Sequence, residues 1–433
     1  MFISDSLSVN SAGHLTIGGV DVCDLAKKYE TPLYIMDEDK IRRTCKAYYT
    51  ALSECYGENF TIHYASKAFS TKAIYKIIDE EKFYADVVSG GELFTALSAG
   101  LKPEKISFHG NNKTLREITF ALDNNIGEFI IDNREELYRI NEEAKKRDKV
   151  ATVSFRIKPG VDAHTHDFIK TGQIDSKFGV ALENGEAFEI IKEALALENV
   201  RVAGVHCHIG SQIFDSDPFA YAAKVMMTFI AEIKEKLAFE IKELNLGGGF
   251  GVKYVESDNP NSIYDSVKVF TDAIKEEAKT LSLNLPHISI EPGRSIVAEA
   301  GITVYTVGSV KEIKGIRNYA AVDGGMTDNP RYALYNAEYT MLLPDRPQAP
   351  ATETYTVAGR NCESGDLLGE NISLPKLAAG DLLCVLTTGA YNYSMASNYN
   401  RVPRPPVVMV RDGNDRVVVK RETYEDLISN DLV

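Results

Sequence analysis

The fold is decided by a repeating stretch at residues 61–110, which reads TIHYASKAFSTKAIYKIIDEEKFYADVVSGGELFTALSAGLKPEKISFHG. Runs rich in β-branched and aromatic residues stand at 61–66, 83–88 and 106–110. The segment STKAIYKIIDEE, which follows the first run, has the apolar spacing of an amphipathic helix. This alternation predicts parallel strands joined by helical crossovers.

The same alternation continues to residue 291. Further runs of strand character occupy residues 128–132, 152–157, 202–209, 243–247 and 287–291. Eight strand and helix units predict an α/β fold of the (β/α)8, or TIM-like, barrel type. An open, doubly wound sheet is the alternative, because periodicity does not prove that a sheet closes.

After about residue 300 the pattern changes to β-branched runs separated by turn residues. Examples are GITVYTVGSV (301–310), ETYTVAG (353–359), DLLCVLTTGAY (381–391) and PPVVMVRDG (405–413). The segment LTIGGVDV (15–22) has the pattern of a hairpin ahead of the barrel. We therefore expect N-terminal strands in 1–34 that join a β domain, a barrel over 35–300, and a C-terminal β-sandwich or β-barrel domain over 301–433.

Composition narrows the classes of partner. The 433 residues include 48 Lys and Arg against 62 Asp and Glu, a formal charge of -14, which argues against nucleic acid or an anionic membrane as the main partner. The start, MFISDSLSVN, lacks the basic and apolar regions of a secretory signal, and no later run reaches about 18 apolar residues. Six cysteines without CxxC pairs predict reduced thiols and a cytoplasmic location.

Polar residues collect at the carboxyl ends of the predicted strands, where barrels of this type carry out chemistry. They are Lys67, Asp86, His109, Arg156, His206, His208, Glu291 and Arg294. A single residue of this kind is most often structural. A series of them on different strands predicts an active site at one mouth of the barrel.

Glycines follow the last two predicted strands, as Gly247-Gly248-Gly249 and as Gly293. Glycine lets backbone N–H groups approach an anion closely, and the loops after strands seven and eight are the usual phosphate position in these barrels. A phosphate site beside Lys67 suggests a phosphorylated aldehyde bound as an imine, which is the chemistry of pyridoxal 5′-phosphate. Glu291 could pair with the ring nitrogen, and His206 or His208 could stack on the ring.

A metal site is the rival interpretation of the same residues. The HxH pair, His206 and His208, could place two imidazoles on one ion, with Asp86 and His109 as further ligands. The protein would then be a TIM-barrel metallohydrolase. That interpretation leaves the glycine loop and Glu291 without a function.

Ten motifs, in order along the chain, resemble those of the diaminopimelate decarboxylase family. They are YASKA (64–68), ADVVSGGE (85–92), HGNNKT (109–114), SKFG (176–179), HCHIGSQ (206–212), LGGGFG (246–251), EPGRS (291–295), VDGGMTDNPR (322–331), CESGD (362–366) and GAYNYSMASNYN (389–400). The family belongs to the alanine-racemase-like class of pyridoxal phosphate enzymes, whose barrel and β domain agree with the pattern above. The resemblance implies decarboxylation of meso-2,6-diaminopimelate to L-lysine and CO2, the last step of lysine biosynthesis.

The resemblance also implies roles for residues around the cofactor. Lys67 would be the imine lysine and His208 the histidine that stacks on the ring, while Glu291 would pair with the ring nitrogen. The remaining cofactor contacts would come from Asp86, Ser211, Gly247, Gly248, Gly249, Gly293, Arg294 and Tyr391.

Substrate contacts and assembly follow from the same resemblance. The substrate would be held by Arg294, Arg331, Tyr335, Glu363 and Tyr391. Cys362 would be the acid that protonates the carbanion. Cys362 and Glu363 would enter the site from the partner subunit, so that a homodimer shares its active sites.

The choice of substrate also has a physical basis. The remote end of diaminopimelate carries both a carboxylate and an ammonium, so its pocket needs an arginine and an acid, which Arg331 and Glu363 can supply. An ornithine pocket needs acids alone, and a desolvated arginine there would repel the remote ammonium. Ornithine and carboxynorspermidine are the alternative substrates.

Overall fold

The computed structural model describes residues 2–160 and 176–433. The described strands, in chain order, are β1 Leu7–Val9, β2 Leu15–Ile17, β3 Val20–Asp21, β4 Leu33–Asp37, β5 Phe60–Ala65, β6 Tyr84–Val87, β7 Ile106–Phe108, β8 Glu128–Ile131, β9 Ala151–Lys158, β10 Val180–Ala181, β11 Val200–Cys207, β12 Glu243–Asn245, β13 His287–Ile290, β14 Gly301–Ile313, β15 Arg317–Val322, β16 Met341–Leu342, β17 Glu353–Ala358, β18 Leu367–Leu374, β19 Leu382–Val385, β20 Val407–Arg411 and β21 Asn414–Val419.

Helices separate most of the strands between β3 and β13, and the helices described after β13 are short. In chain order they are α1 Val22–Tyr29, α2 Glu38–Tyr56, α3 Lys72–Glu80, α4 Gly90–Ser98, α5 Leu115–Asp123, α6 Arg134–Lys146, α7 Glu186–Ala194, α8 Asp217–Leu237, α9 Ile263–Thr280, α10 Arg294–Val297, α11 Arg331–Tyr335 and α12 Tyr424–Ile428.

The chain forms two compact units. The barrel unit comprises Thr44–Gly251 and Pro260–Gly293, and the β unit comprises Met1–Arg43, Val252–Asn259 and Arg294–Val433. The domain limits expected from the sequence at residues 34 and 300 stay a prediction.

The barrel unit contains a closed parallel barrel, which confirms the predicted fold class. Within the described residues, eight strands pair in the order β5, β6, β7, β8, β9, β11, β12 and β13, and β13 pairs with β5 to close the ring. The short strand β10 pairs with the end of β9. Runs such as Ile106–Phe108 are buried at every residue, as expected for strands covered on both faces.

The helices around the barrel carry the amphipathic pattern expected from the sequence. Helix α5 begins at a capping box, in which the side chains of Thr114 and Glu117 each accept from the other residue's backbone N–H. Its buried residues, Ile118, Ala121 and Leu122, share one face. This apolar face fixes the helix against the sheet and leaves the carboxyl ends of the strands free for polar loops.

The β unit is built around the 13-residue strand β14, which pairs with β4, β15 and β19. One sheet runs in the order β18, β17, β15, β14, β4, β20 and β21. Strand β4 lies near the start of the chain and β20 near its end, and the two pair in parallel. The β unit therefore draws on both chain ends, as the sequence predicts.

The predicted N-terminal hairpin forms between β2 and β3. Gly18 and Gly19 connect the strands with φ of 54° and 79°, and two positive φ values are what a two-residue type I′ turn requires. Leu15 and Ile17 of this hairpin are fully buried in a core shared with Val304 and other residues of the β unit. Burial of these side chains anchors the N-terminal segment.

Two features differ from the sequence interpretation. Some strands, such as β4 and β18, were not expected, and in β18, LLGENISL, polar residues with low strand propensity interrupt the pattern. The sixth barrel strand ends at Cys207, so His208 lies beyond the strand and not within it, as the predicted run 202–209 had placed it.

Over residues 2–160 and 176–433, no helix has the length and apolar character needed to cross a membrane.

Candidate active site

The barrel unit places one buried carboxylate, that of Glu291, directly after the last barrel strand. Asn245 donates its side-chain N–H to Oε1 of Glu291 at 2.8 Å. His206 Nε2 lies 3.2 Å from Oε2, and His109 Nε2 lies 3.1 Å from Oε1. These three residues stand at the carboxyl ends of β12, β11 and β7, so closure of the barrel brings them together. We call Glu291, His109, His206 and Asn245 the acid cluster.

Glu291 remains ionised within the acid cluster. Burial raises the pKa of Glu291, but attraction and hydrogen bonding from His109 and His206 outweigh burial and hold this pKa well below its usual range. Burial lowers the pKa of each of the two histidines, against an opposing effect of Glu291. Burial therefore opposes charge on the two imidazoles, whereas the Glu291 carboxyl keeps its negative charge.

Lys67 and Asp86 lie close to the acid cluster. Lys67 belongs to a single 3-10 turn, Ser66–Ala68, that directly follows β5, and its side chain is exposed. Its charge lowers the pKa of His206 and of Asp86, so it acts on both groups. Asp86 is buried and accepts from the Ser66 N–H at 3.2 Å. Burial and the charge of Glu291 together raise the pKa of Asp86 to about 7, although His109 and Lys67 oppose them.

The glycine loop after β12 packs too closely for any side chain. A Cβ added at Gly247 would lie 2.6 Å from the carbonyl oxygen of Cys207, and one at Gly248 would lie 2.2 Å from that of Glu291. Gly249 has φ of 112° and would meet the carbonyl oxygen of Gly210 at 2.4 Å. Glycine is therefore required at each of the three positions.

The neighbouring loops place His208, Ser211 and Gly293. His208 Nδ1 accepts from the backbone N–H of Gly248 at 3.3 Å. Burial, followed by the charges of Lys67 and Arg156, holds the pKa of His208 well below its usual value, so this imidazole is neutral. Ser211 is partly buried beyond the end of β11. A Cβ at Gly293 would meet the Ala65 Cβ at 2.7 Å.

The β unit contains a second cluster, made of arginines and tyrosines. Arg294 and Arg331 are both 8% exposed. Arg294 donates to the Tyr254 hydroxyl at 2.6 Å, and Arg331 donates to the Tyr339 hydroxyl at 2.6 Å. The Tyr391 ring lies 4.7 Å from the Arg294 guanidinium carbon. We call these five residues the arginine cluster.

The other predicted substrate residues lie outside this hydrogen-bonded cluster. Tyr335 is the last residue of α11, is partly buried, and makes no side-chain hydrogen bond within the described parts of the chain. Cys362 and Glu363 are exposed. Their loop is held by Asp366, which accepts from the backbone and side-chain N–H of Asn361 at 2.7 and 2.8 Å.

The positions of the histidines bear on the metal hypothesis. One group of possible metal ligands is His109, His206 and Glu291, whose ligand atoms lie within 4.8 Å of one another. His208 is absent from the ligand groups found among the described residues, so the HxH pair does not converge on one ion as the metal hypothesis expected.

Sequence reasoning missed three residues of these clusters. Asn245 could have been found as a polar residue at the end of the seventh strand. Tyr254 and Tyr339 follow the glycine loop and Arg331 respectively, but in a chain with 22 tyrosines nothing separates them from packing residues.

Comparison with known proteins identifies the class. The family model for the pyridoxal-binding domain of pyridoxal-dependent decarboxylases matches residues 38–298. This chain therefore belongs to the pyridoxal-dependent decarboxylases.

Full-length relatives narrow the class. The diaminopimelate decarboxylase of Bacillus subtilis is 48% identical over 432 residues, covering 100% of this chain and 98% of that protein. A crystal structure of diaminopimelate decarboxylase from M. jannaschii in co-complex with L-lysine has a TM-score of 0.92 at 38% identity, covering 100% of this chain and 99% of that chain. The Helicobacter pylori enzyme, also complexed with L-lysine, has a TM-score of 0.85 at 34% identity, covering 94% and 98%. The chain belongs to the diaminopimelate decarboxylase family.

The residues present fit the cofactor of this family, pyridoxal 5′-phosphate. The ionised carboxylate of Glu291 suits a protonated ring nitrogen. Lys67 offers an exposed primary amine. The close-packed glycines let backbone N–H groups approach a phosphate.

Proposed function

We propose that this protein removes the carboxylate at the D-centre of meso-2,6-diaminopimelate, releasing CO2 and L-lysine, as a pyridoxal-phosphate-dependent carboxy-lyase. The observation that carries the proposal is the ionised Glu291 carboxylate, buried at the carboxyl ends of the barrel strands, where Lys67 also stands. When bound, pyridoxal phosphate supplies a protonated ring that accepts the electron pair left by the departing carboxylate.

Most of the residues proposed to hold the cofactor belong to the barrel unit. Lys67 would hold the cofactor through its aldehyde group, and Glu291 would keep a proton on the ring nitrogen. The neutral His208 imidazole would lie against the ring when the cofactor is bound, since a charged imidazole would oppose the ring's own positive charge. The remaining cofactor contacts would come from Asp86, Ser211, the glycine loop and Gly293, together with Arg294 and Tyr391.

The residues that act on the substrate carry the complementary charges. Arg331 receives the remote carboxylate and Glu363 the remote ammonium, with Arg294, Tyr335 and Tyr391 as further contacts. Cys362 delivers a proton to the carbon from which CO2 has left. Support for Arg331 comes from its burial without a carboxylate partner among the described residues.

The active form is a homodimer in which Cys362 and Glu363 act in the partner's site. Both side chains are exposed on a loop whose own base is fixed by Asp366, an arrangement that suits residues presented to another subunit. The protein is cytoplasmic. Support for that location comes from all six cysteines, which are free thiols.

The activity is tested by incubating the purified holoenzyme with meso-diaminopimelate and measuring CO2 and L-lysine. The two products should form in equal amounts. Lys67→Ala should abolish turnover, because no other described residue offers an amine at the end of β5. Failure of the wild-type enzyme to release CO2 would refute the proposal, whereas release of CO2 by Lys67→Ala would refute only the role of Lys67.

The shared site is tested by refolding inactive Lys67→Ala together with inactive Cys362→Ala. Random pairing makes half of the dimers mixed, and one site of each mixed dimer is then intact, so about a quarter of wild-type activity should return. If both residues acted within one subunit, every site would carry a lesion. No recovery, with mixed dimers confirmed by mass, would therefore exclude the shared site.

A further inference from the structure

Tyr254 lies at the centre of the arginine cluster and contacts both guanidinium groups. Its hydroxyl accepts from Nη1 of Arg294 at 2.6 Å. The Arg331 guanidinium carbon lies 4.9 Å from the centre of its ring, and that of Arg294 lies 5.7 Å from it. One side chain thus binds one arginine through its hydroxyl and the other through its ring face.

Tyr339 is the second tyrosine of the cluster that contacts Arg331. Its hydroxyl accepts from Nη1 of Arg331 at 2.6 Å and from the Asn392 side-chain N–H at 3.4 Å. The rings of Tyr254 and Tyr339 meet edge to face, with their centres 5.3 Å apart and an angle of 88° between their planes. Edge-to-face packing fixes the relative orientation of two rings. The two tyrosines therefore act as one rigid support.

The backbone of Tyr254 is fixed as well. Its carbonyl oxygen accepts from the N–H of Thr340 at 3.2 Å and from the Thr340 hydroxyl at 2.9 Å. Its own N–H donates to Asp258 at 2.9 Å. The side chain is 5% exposed. Tyr254 is therefore held in place through its backbone, its ring and its hydroxyl.

The choice of phenols as partners has a chemical consequence. A buried guanidinium is ordinarily neutralised by a carboxylate, because an uncompensated buried charge is costly. Among the described residues, Arg331 has no carboxylate partner and is held instead by neutral tyrosines. Neutral partners satisfy N–H groups and fix the geometry while the positive charge stays available to an anionic ligand.

We propose that Tyr254 is a positioning residue that fixes Arg294 and Arg331 at a set spacing, and that Tyr254 and Tyr339 thereby set the preference for a substrate with a remote carboxylate. This inference rests on the proposed function, in which Arg331 receives that carboxylate and Arg294 contacts both cofactor and substrate. Tyr339 supports Arg331 alone, whereas Tyr254 supports both arginines. Substitutions of the two tyrosines should therefore have different kinetic effects.

The test compares Tyr254→Phe and Tyr339→Phe holoenzymes on meso-diaminopimelate and on D-lysine, which has the same reacting centre but no remote carboxylate. Tyr339→Phe should raise KM for diaminopimelate about tenfold and leave KM for D-lysine unchanged, because only the hydrogen bond to Arg331 is lost. Tyr254→Phe should raise both KM values. In each variant kcat should stay within about twofold, as expected when binding alone is weakened.

The matched control is Tyr56→Phe, which removes the hydroxyl of another buried tyrosine, one that donates to the Pro286 carbonyl oxygen in the barrel unit. Its kinetic constants should equal those of wild type. Unchanged KM values in Tyr254→Phe, or a fall in kcat alone, would overturn the inference. If Tyr254→Phe does not fold, Thr340→Val replaces it, since it keeps the tyrosine and removes one bond to its backbone. A smaller rise in both KM values is then expected, and no rise would overturn the inference.

A second readout separates this inference from the proposed function. If Arg294 contacts the cofactor, Tyr254→Phe holoenzyme should lose pyridoxal phosphate faster during dialysis than wild type, by about tenfold, while Tyr339→Phe and Tyr56→Phe should not. Failure of wild type to decarboxylate diaminopimelate would refute the function without touching this measurement. Equal loss rates in wild type and Tyr254→Phe would refute the positioning of Arg294.

Discussion

The acid cluster and the arginine cluster each stabilise buried charge, negative in the first and positive in the second, and they do so with different residues. In the barrel unit, the buried Glu291 carboxylate accepts a hydrogen bond from the Asn245 amide and lies within 3.2 Å of the His109 and His206 imidazoles, whose attraction helps to keep it ionised. In the β unit, two buried guanidinium groups are held by phenols, whose oxygens accept from Arg294 and Arg331. The carboxylate is thus stabilised by groups that can carry the opposite charge, whereas the guanidinium groups contact phenols.

This difference indicates how each cluster responds to pH. The acid cluster contains titratable groups whose pKa values depend on one another, and Asp86 beside it has a pKa of about 7. In the arginine cluster the guanidinium groups stay protonated at any ordinary pH. Burial raises the pKa of Tyr339, so this phenol remains neutral as well. The charge of the groups around the cofactor should therefore vary with pH, whereas the binding of the remote carboxylate should not.

The largest effect is expected from Glu291→Gln, which removes the negative charge of the acid cluster and leaves its shape. We expect kcat on meso-diaminopimelate to fall by about 100-fold or more, because proton placement by a positioned group contributes at least that much. The matched control is Glu128→Gln in the same barrel. Burial raises the pKa of Glu128 to about 8, so its carboxyl is already neutral at pH 7 and the change should leave kcat unaltered. Equal losses in both variants would show that Glu291 has no special role.

A smaller effect, confined to binding, is expected from Arg331→Ala. Loss of a charge-assisted contact to a carboxylate costs about 2 kcal/mol, which corresponds to a rise of about 30-fold in KM. The value of kcat should change far less than in Glu291→Gln. Steady-state kinetics with meso-diaminopimelate measure both constants. An unchanged KM in a folded variant would show that Arg331 does not bind the substrate. The arginine cluster would then have no role in recognising the remote carboxylate.

The smallest effect concerns stability against pH. The pKa of Asp86 is raised from 3.8 to about 7 in the folded protein, so the folded state binds this proton more tightly than the unfolded chain does. Its contribution to the free energy of unfolding is fully present below about pH 4 and is lost as the pH rises through 7. Asp86→Asn should flatten this part of the stability profile in urea denaturation. Tyr339→Phe, in the arginine cluster, should leave the slope unchanged, and an unaltered slope in Asp86→Asn would contradict the assignment.

The sequence predicted the barrel because alternation of strand and helix is a local pattern, readable from runs such as ISFHG. It also predicted that Lys67, Glu291 and the glycine loop follow barrel strands, because strand ends and glycine-rich loops can be recognised in the sequence. Asn245, Tyr254 and Tyr339 could not be predicted in the same way. Their roles depend on contacts across 46, 40 and 8 residues of chain, which exist only after folding.

The two clusters are expected to have separate functions. The acid cluster would act in the reaction, and Arg331 would bind the remote carboxylate. The most direct measurement is the ratio of kcat/KM for meso-diaminopimelate to that for D-lysine, in wild type, Glu291→Gln and Arg331→Ala. Glu291→Gln should lower both values together and keep the ratio of wild type. Arg331→Ala should lower the value for diaminopimelate alone, so that the ratio falls by about 30-fold. A ratio that survives in Arg331→Ala, or that collapses in Glu291→Gln, would contradict the account.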